Sequence, residues 1–236
     1  MLPGGYTSVL QSKNRSEFRA EIVRFTQRLG FETVSAITII DRGMGKSDFI
    51  HVDNTPTDYV EPYSDPGKSR RDPVLAHCKR QSVPIIWDRQ TYVNHGAADL
   101  WEQQAGFGYC TGIAMALHLP DGKHFLLGVD RDRPLPQDPD ELQRVVADLQ
   151  LFAVLAQDAA VRLLVPKDEQ PDRPALTPRE LEVLRWTMEG KTAWEVGAVL
   201  GISERTAVLH ATNAMHKLGC VNKHQAVLKA LRLGLI

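Results

Sequence analysis

The stretch "VPKDEQPDRPALTP", Val165 to Pro178, sets the strongest limit on what this chain can fold into. It holds four prolines and five charged residues in fourteen. Proline fixes its own φ and lacks an amide hydrogen, and the charges have no apolar neighbours. Such a stretch can neither continue a helix nor enter a core, so it reads as an exposed linker. The expectation is two bodies, residues 1–165 and 176–236, joined over 166–175. A chain of 236 residues, 43% hydrophobic and 24% charged, has apolar material enough for both.

The two sides differ in period. Before the linker, Phe18, Ile22, Phe25 and Leu29 mark one stripe of a helix over Glu17–Leu29. "TVSAITII", "DFIHVD", "CTGIAMALHL" and "HFLLGVD" read as strands, the last two joined by the turn "PDGK". Short helices are expected around Pro73–Arg80 and Gly96–Ala105. A long helix carries Leu142, Val145, Leu149, Phe152, Ala156, Ala159 and Leu163 on one face. Strands lying between helices, in hairpin-like pairs, predict an α/β/α sandwich with an antiparallel sheet.

After the linker the pattern is all helical. Thr177, Pro178 and Glu180 form a capping box with proline at the first helical position. Gly190 and Gly201 stop the first two helices, and Ser203 and Asn222 cap the third and fourth. The overall class is therefore α+β, a sandwich linked to a four-helix unit with a helix-turn-helix centre, "AWEVGAVLGISERTAVLH". In such a motif a small residue, a turn glycine and a following apolar residue let two helices cross closely. Gly197, Gly201 and Ile202 meet that need. On the third helix Ala207, Ala211, Ala214 and Leu218 make a narrow inner stripe, with Arg205, Val208, Leu209, Thr212 and Asn213 opposite. Spacing alone leaves two readings open, a DNA-binding surface or a small dimerisation bundle.

Charge adds a modest pointer. The whole chain has net charge −1, but from Leu176 onward 8 Lys and Arg face 5 Asp and Glu, net +3, against 20 and 24, net −4, before it. Cys78, Cys110 and Cys220 are too few and too scattered for a disulfide framework or a zinc site, which suits a reducing cytoplasm. No long apolar run or leader pattern is evident, so a soluble, unsecreted protein with no membrane contact is expected. "GMGKSD" at 43–48 imitates a phosphate loop, but Ile40 stands where that motif needs glycine. No Gly-x-Ser-x-Gly or His-Glu-x-x-His pattern supports an enzyme, and no cofactor or metal is expected.

From Leu176 to Ile236 the sequence resembles the effector domain of LuxR-type transcription regulators. Its "LTPRELEVL", "GKT" and "ISERTAVLH" segments match that family's "T-x-R-E-x-x-V-L", "G-K-T" and "I-S-x-R-T-V", with Glu180, Leu184 and Gly190 at framework positions. The resemblance implies that Val208, Leu209 and Thr212 face base edges. Phosphate contacts would come from Lys191, Thr192, Arg205, Thr206, Lys217 and Lys223. The family often has Lys, Arg or Asn at the base-facing positions. Valine and leucine there can meet a thymine methyl but cannot form bidentate bonds. Trp194 is either half-buried or exposed at the rim.

The first part resembles the autoinducer-binding domain of quorum-sensing members, so that the likeness covers Arg15 to Ile236. Asn54 and Pro56 open the matching pattern, Tyr59 takes a tryptophan place and Tyr63 matches a tyrosine. Asp72 and Pro73 follow, then Trp87, and Gly112 opens a core strand. The resemblance implies an N-acyl homoserine lactone effector. Asp72 would accept its amide N–H, Tyr59 would hold the lactone carbonyl, and Tyr63 the acyl carbonyl. Trp87, Trp101 and Val74 would supply apolar wall. Asp72 is also placed to cap a helix before Pro73. Thr55 stands for a usual tyrosine and Gly128 for a usual Ser or Thr, so the site should have room for a longer, branched or unusual acyl group. The expected assembly is a homodimer on DNA with two half-sites. The alternative is a ligand-independent or protein-partner-controlled DNA-binding regulator of the same fold.

Overall fold

The computed structural model describes residues 5–43, 46–55, 66–166 and 174–236. These fall into two units, one closing at Pro166 and the other running on to Ile236. Most of the expected linker, 167–173, lies outside the described residues, as do Met44 and Gly45 of the loop-like motif.

In the first unit, helix α1 (Arg15–Arg28) begins where the Asn14 side chain accepts from the Glu17 amide, and it buries Phe18, Ile22 and Phe25. Strands β1 (Thr33–Gly43), β2 (Lys46–Asp53), β3 (Ile85–Trp87), β4 (Thr111–Leu119) and β5 (Lys123–Arg131) form one sheet. Its order is β2-β1-β5-β4-β3, with every neighbouring pair antiparallel. Side chains alternate across a strand, so each strand serves two layers. Val34, Ala36, Ile113, Met115, Phe125, Leu127 and Val129 pack against α1 and the long helix α6 (Pro139–Leu164), which contributes Leu149, Phe152, Ala153 and Ala156. Phe25 and Phe152 stack with ring centroids 3.9 Å apart.

On the opposite face, α3 (Pro73–Cys78), α4 (Arg89–Asn94) and α5 (Ala98–Ala105) bury Val74, Cys78, Tyr92 and Leu100 against Ala114 and Ala116. Helix α2 (Pro66–Arg71) precedes them. The sandwich and its antiparallel sheet are as the sequence suggests. The three-residue β3 and the one-turn helices α2 and α4 are additions, because so few residues leave no readable period.

The second unit is built from α7 (Pro178–Met188), α8 (Ala193–Leu200), α9 (Glu204–Lys217) and α10 (Lys223–Arg232). Each starts with a side chain that accepts from a backbone amide three residues on: Thr177, Thr192, Ser203 and Asn222. In α7 and α8 the third residue, Glu180 or Glu195, reaches back to complete the capping box. Gly201 closes α8 at φ 66°, a left-handed conformation that favours glycine. Val183, Leu184, Val196, Ala207, Ala214 and Leu218 are buried between the helices. Among the described residues no helix is long and apolar enough to cross a membrane.

Candidate functional site

Each unit offers one candidate site. In the first, a cavity of about 90 Å³ lies between the sheet and the α3–α5 layer. Strand register arranges its floor in rows, since residues two apart on one strand share a face. Ser35, Gly128 and Ala114 face one another across β1, β5 and β4 and make a row of small side chains. The next row is Ile37, Leu126 and Ala116; on the other side stand Asp130, Gly112 and Trp87. Trp87 needs its partner to be glycine. A Cβ on Gly112 would lie 2.8 Å from Trp87 Cε2 and 2.8 Å from Asp130 Oδ1, closer than atoms pack. A Cβ on Gly128 would meet nothing nearer than the Ser35 carbonyl at 4.0 Å.

The cavity's polar lining comes from the helical layer. Asp72 is the N-cap of α3 before Pro73, and one carboxylate oxygen takes the Leu75 amide at 2.9 Å. The other takes the Tyr92 hydroxyl at 3.2 Å, and Tyr92 also reaches Gln104 Oε1 at 3.4 Å. Asp72 is 3% exposed. Burial pushes its carboxyl above the ordinary range, against the opposing pull of the Leu75 amide, the Tyr92 hydroxyl, the Val74 amide and Lys79. Trp87 meets Tyr92 edge-on, with centroids 5.8 Å apart. Burial, then the Asp72 charge, pushes the nearby Cys78 thiol up to about 12, which makes it a packing group rather than a reactive one.

Of the residues singled out from the sequence, Asp72, Val74, Trp87 and Gly128 line this cavity, with Gly112 behind Trp87. Trp101 does not: its indole N–H donates to the Cys110 carbonyl at 2.9 Å, and Arg89 lies over its ring. Thr55 lies just after β2, its amide held by Asp53, and is not in the lining either. Asn54 is structural, tying the Val34 amide and the Glu32 carbonyl together. Tyr59, Tyr63 and Pro56 lie outside the described residues. Tyr92, Gln104 and Tyr109 line the cavity without having been singled out. Gln104 could have been found, because it lies four residues after the buried Leu100 on α5.

In the second unit, α9 turns Ala207, Ala214 and Leu218 inward and leaves Val208 48% and Leu209 55% exposed. Gly197 permits the close crossing: a Cβ there would lie 2.8 Å from the Ile202 carbonyl. Lys191, Val208, Thr212 and Lys223 line one groove of about 390 Å³. Lys191 precedes the α8 cap Thr192, and Lys223 is the first residue of α10. Arg205 is exposed on the first turn of α9, whereas the Thr206 hydroxyl pairs with that of Ser203 at 2.8 Å. The Thr212 hydroxyl donates to the Val208 carbonyl at 2.9 Å. Trp194 is 67% exposed, which decides between its two expected places.

Lys217, expected toward phosphate, also has partners within its own unit. Its ammonium lies 2.8 Å from the buried Glu180 carboxylate and also reaches the Ala175 carbonyl. Burial works against the charged Glu180, but Lys217 and the Thr177 amide and hydroxyl outweigh it and hold the carboxyl below its ordinary value. The lysine side chain itself is 40% exposed, so this pair stands at the surface of its unit. Among the described residues no group of three or more His, Cys, Asp or Glu is placed to hold a metal ion.

Comparison with known proteins matches both parts. Residues 14–160 fit the family model of the autoinducer binding domain, and residues 174–230 fit that of bacterial regulatory proteins, luxR family. The chain is 36% identical to the transcriptional activator protein SolR of Ralstonia nicotianae, over 94% of this chain and 92% of that one. It is 32% identical to the quorum sensing-dependent transcriptional regulator RpaR of Rhodopseudomonas palustris, over 96% and 93%. Among solved structures, SdiA in complex with octanoyl-rac-glycerol superposes with a TM-score of 0.72 at 28% identity, covering 96% of this chain and 91% of that one.

Proposed function

The chain belongs to the LuxR family of bacterial regulatory proteins, and from that premise we propose that it binds an N-acyl homoserine lactone beside Asp72 and controls promoter DNA through α9. It is a transcription regulator and not an enzyme. The boundaries proposed are 1–165 for effector binding and dimerisation, 166–175 for the linker and 176–236 for DNA.

The Asp72 carboxylate carries the reading. Its oxygens take the Leu75 amide and the Tyr92 hydroxyl, the Val74 amide also acts on it, and the carboxylate still lines the cavity, where it can accept a further N–H. An acyl amide offers the single N–H such a group can accept. Ile37 and Leu126 provide apolar floor for a chain, and the small row at Ser35, Gly128 and Ala114 leaves it room. The structural relative SdiA, captured with octanoyl-rac-glycerol, supports an acyl group as the common element. Tyr59 and Tyr63 are proposed as donors to the lactone and acyl carbonyls on the strength of the resemblance, with Thr55 near the tail.

On DNA, Val208, Leu209 and Thr212 would face base edges, with Lys191, Thr192, Arg205, Thr206 and Lys223 toward phosphates. The protein is proposed to act in the cytoplasm as a homodimer on two half-sites about one helical turn apart. Sedimentation showing only monomer at micromolar concentration, with and without effector, would remove the dimer.

The deciding experiment titrates wild type and Asp72→Asn with N-acyl homoserine lactones of several chain lengths. Losing a charge-assisted bond of about 1.5–3 kcal/mol should weaken binding by roughly ten- to over a hundredfold. A folded Asp72→Asn protein that binds every lactone as well as wild type overturns the chemistry. Wild type that binds none of them points to the ligand-independent or partner-controlled regulator.

A further inference from the structure

Gln104 is 5% exposed and lines the same cavity as Asp72. Its Oε1 is reached by the Tyr92 hydroxyl at 3.4 Å, the group that also reaches Asp72 at 3.2 Å. Its Nε2 is fully buried and has no hydrogen-bond partner among the described residues. A buried donor in this condition is unfavourable, because it has given up water without gaining an acceptor. Its place on α5 gives it little freedom to turn outward, for it follows the buried Leu100 by one helical turn. The single Tyr92 hydroxyl hydrogen is shared between two acceptors, the Asp72 carboxylate and Gln104 Oε1, and neither contact meets the Gln104 Nε2 donor. The apolar floor at Ile37 and Leu126 provides no partner for that donor.

We propose that Gln104 is a specificity-determining residue, whose Nε2 donates to an oxygen of the effector's ring head group while Asp72 takes the amide N–H. This rests on the acyl homoserine lactone reading above. A lactone presents two oxygens, in the ring and on its carbonyl, and both only accept. A cyclopentyl ring has the same size and gives Gln104 nothing to bond. Sites built around a donor reject such analogues strongly, since the analogue leaves the donor unmet.

The test titrates full-length wild type and Gln104→Met with two probes sharing one acyl chain, an N-acyl homoserine lactone and the corresponding N-acyl cyclopentylamine. The chain length is the one wild type binds most tightly. Wild type should favour the lactone by about tenfold or more, and Gln104→Met should narrow that preference by about five- to tenfold. The cyclopentylamine affinity should stay within about threefold, because methionine keeps the volume and the Tyr92 hydroxyl, which loses Oε1, still has Asp72 as its acceptor. A readout that needs no variant is the Gln104 side-chain amide resonance in wild type, which should shift with the lactone and stay with the cyclopentylamine. An unchanged preference in Gln104→Met, equal loss of both probes, or equal binding of both by wild type overturns the assignment of Gln104 alone. Wild type that binds neither probe overturns the lactone reading, and this inference with it.

Discussion

Replacing Gly112 by alanine and, separately, Gly128 by alanine adds the same methyl group to neighbouring rows of one sheet face. The structure assigns the two methyls opposite consequences. At Gly112 the new Cβ would stand 2.8 Å from Trp87 Cε2 and from Asp130 Oδ1, with the Val129 carbonyl also against it. The last of these is backbone and the nearest of the three, so β4 and β5 must separate even if Trp87 leaves its rotamer. Overpacking of this kind costs about 1–3 kcal/mol, and a backbone neighbour puts Gly112→Ala near the upper end. At Gly128 the nearest atom is 4.0 Å away, an ordinary contact. Neither glycine is among those with positive φ. Alanine at such a position should therefore stabilise by about 0.4–1 kcal/mol, through the unfolded chain. The variants should differ by about 3 kcal/mol. Urea unfolding of the full chain, followed by circular dichroism and tryptophan fluorescence, measures the difference. Gly112→Ala should also change the emission of Trp87 before unfolding begins. A Gly112→Ala protein as stable as wild type, or a Gly128→Ala protein less stable than Gly112→Ala, would refute the row geometry on which the site rests.

Asp72→Asn keeps an N-cap side chain on α3 and removes a carboxyl whose pKa burial has raised. A raised pKa means the folded state holds its proton longer, so this group's contribution to stability falls as pH climbs from the ordinary carboxylate range through the raised value. Without effector, the variant should lack that decline in a melting-temperature series against pH and match or exceed wild type near neutrality. Lys217→Met strips the partner from buried Glu180 and should cost about 1–2 kcal/mol, discounted for the partial exposure of the lysine. Because Glu180 is held below its ordinary value, the wild-type advantage is present above the usual carboxylate range and vanishes as pH falls through the lowered one; melting Lys217→Met and wild type in parallel at several acid pH values would show it. Arg205→Ala should weaken binding to all DNA sequences and flatten the salt dependence by about one unit of slope, read by fluorescence anisotropy at several salt concentrations. Thr212→Ala should do less, since its hydroxyl hydrogen is already donated to Val208.

What could be read from the sequence was local. Thr177 with Glu180 marks a helix start because both partners of the capping box lie within one turn, and the structure has that box in place. The α1 stripe and the strand alternations were legible for the same reason. Asp72 and Trp87 were legible only through the resemblance to the autoinducer-binding domain, and both stand in the cavity. Trp101 shows the limit, since its indole hydrogen goes to a carbonyl nine residues away that periodicity does not reveal. Lys217 shows it more sharply. Nothing near it in the chain distinguishes a solvated cation from one that faces Glu180, 37 residues earlier. Gln104 was passed over because a glutamine is ordinarily a surface residue, although its place one turn after Leu100 puts it on the buried side of α5.

The order of the sheet bears on how the protein is made. β1 is finished early in synthesis, but its inner neighbour β5 pairs Asp130 with Thr33, 97 residues later. At a synthesis rate of about 5–20 residues per second, one side of β1 waits roughly 5–20 seconds for its partner. During that interval the nascent chain carries an open strand edge with Val34, Ile37 and Ile40 along it, a surface suited to pairing with another chain. The helical unit emerges last and has contacts mostly within a few dozen residues, so it can fold soon after it leaves the ribosome. Slow completion is thus confined to the half of the molecule that holds the cavity, and chaperone dependence or aggregation during expression should be governed by β1 and β5 rather than by the DNA-binding helices.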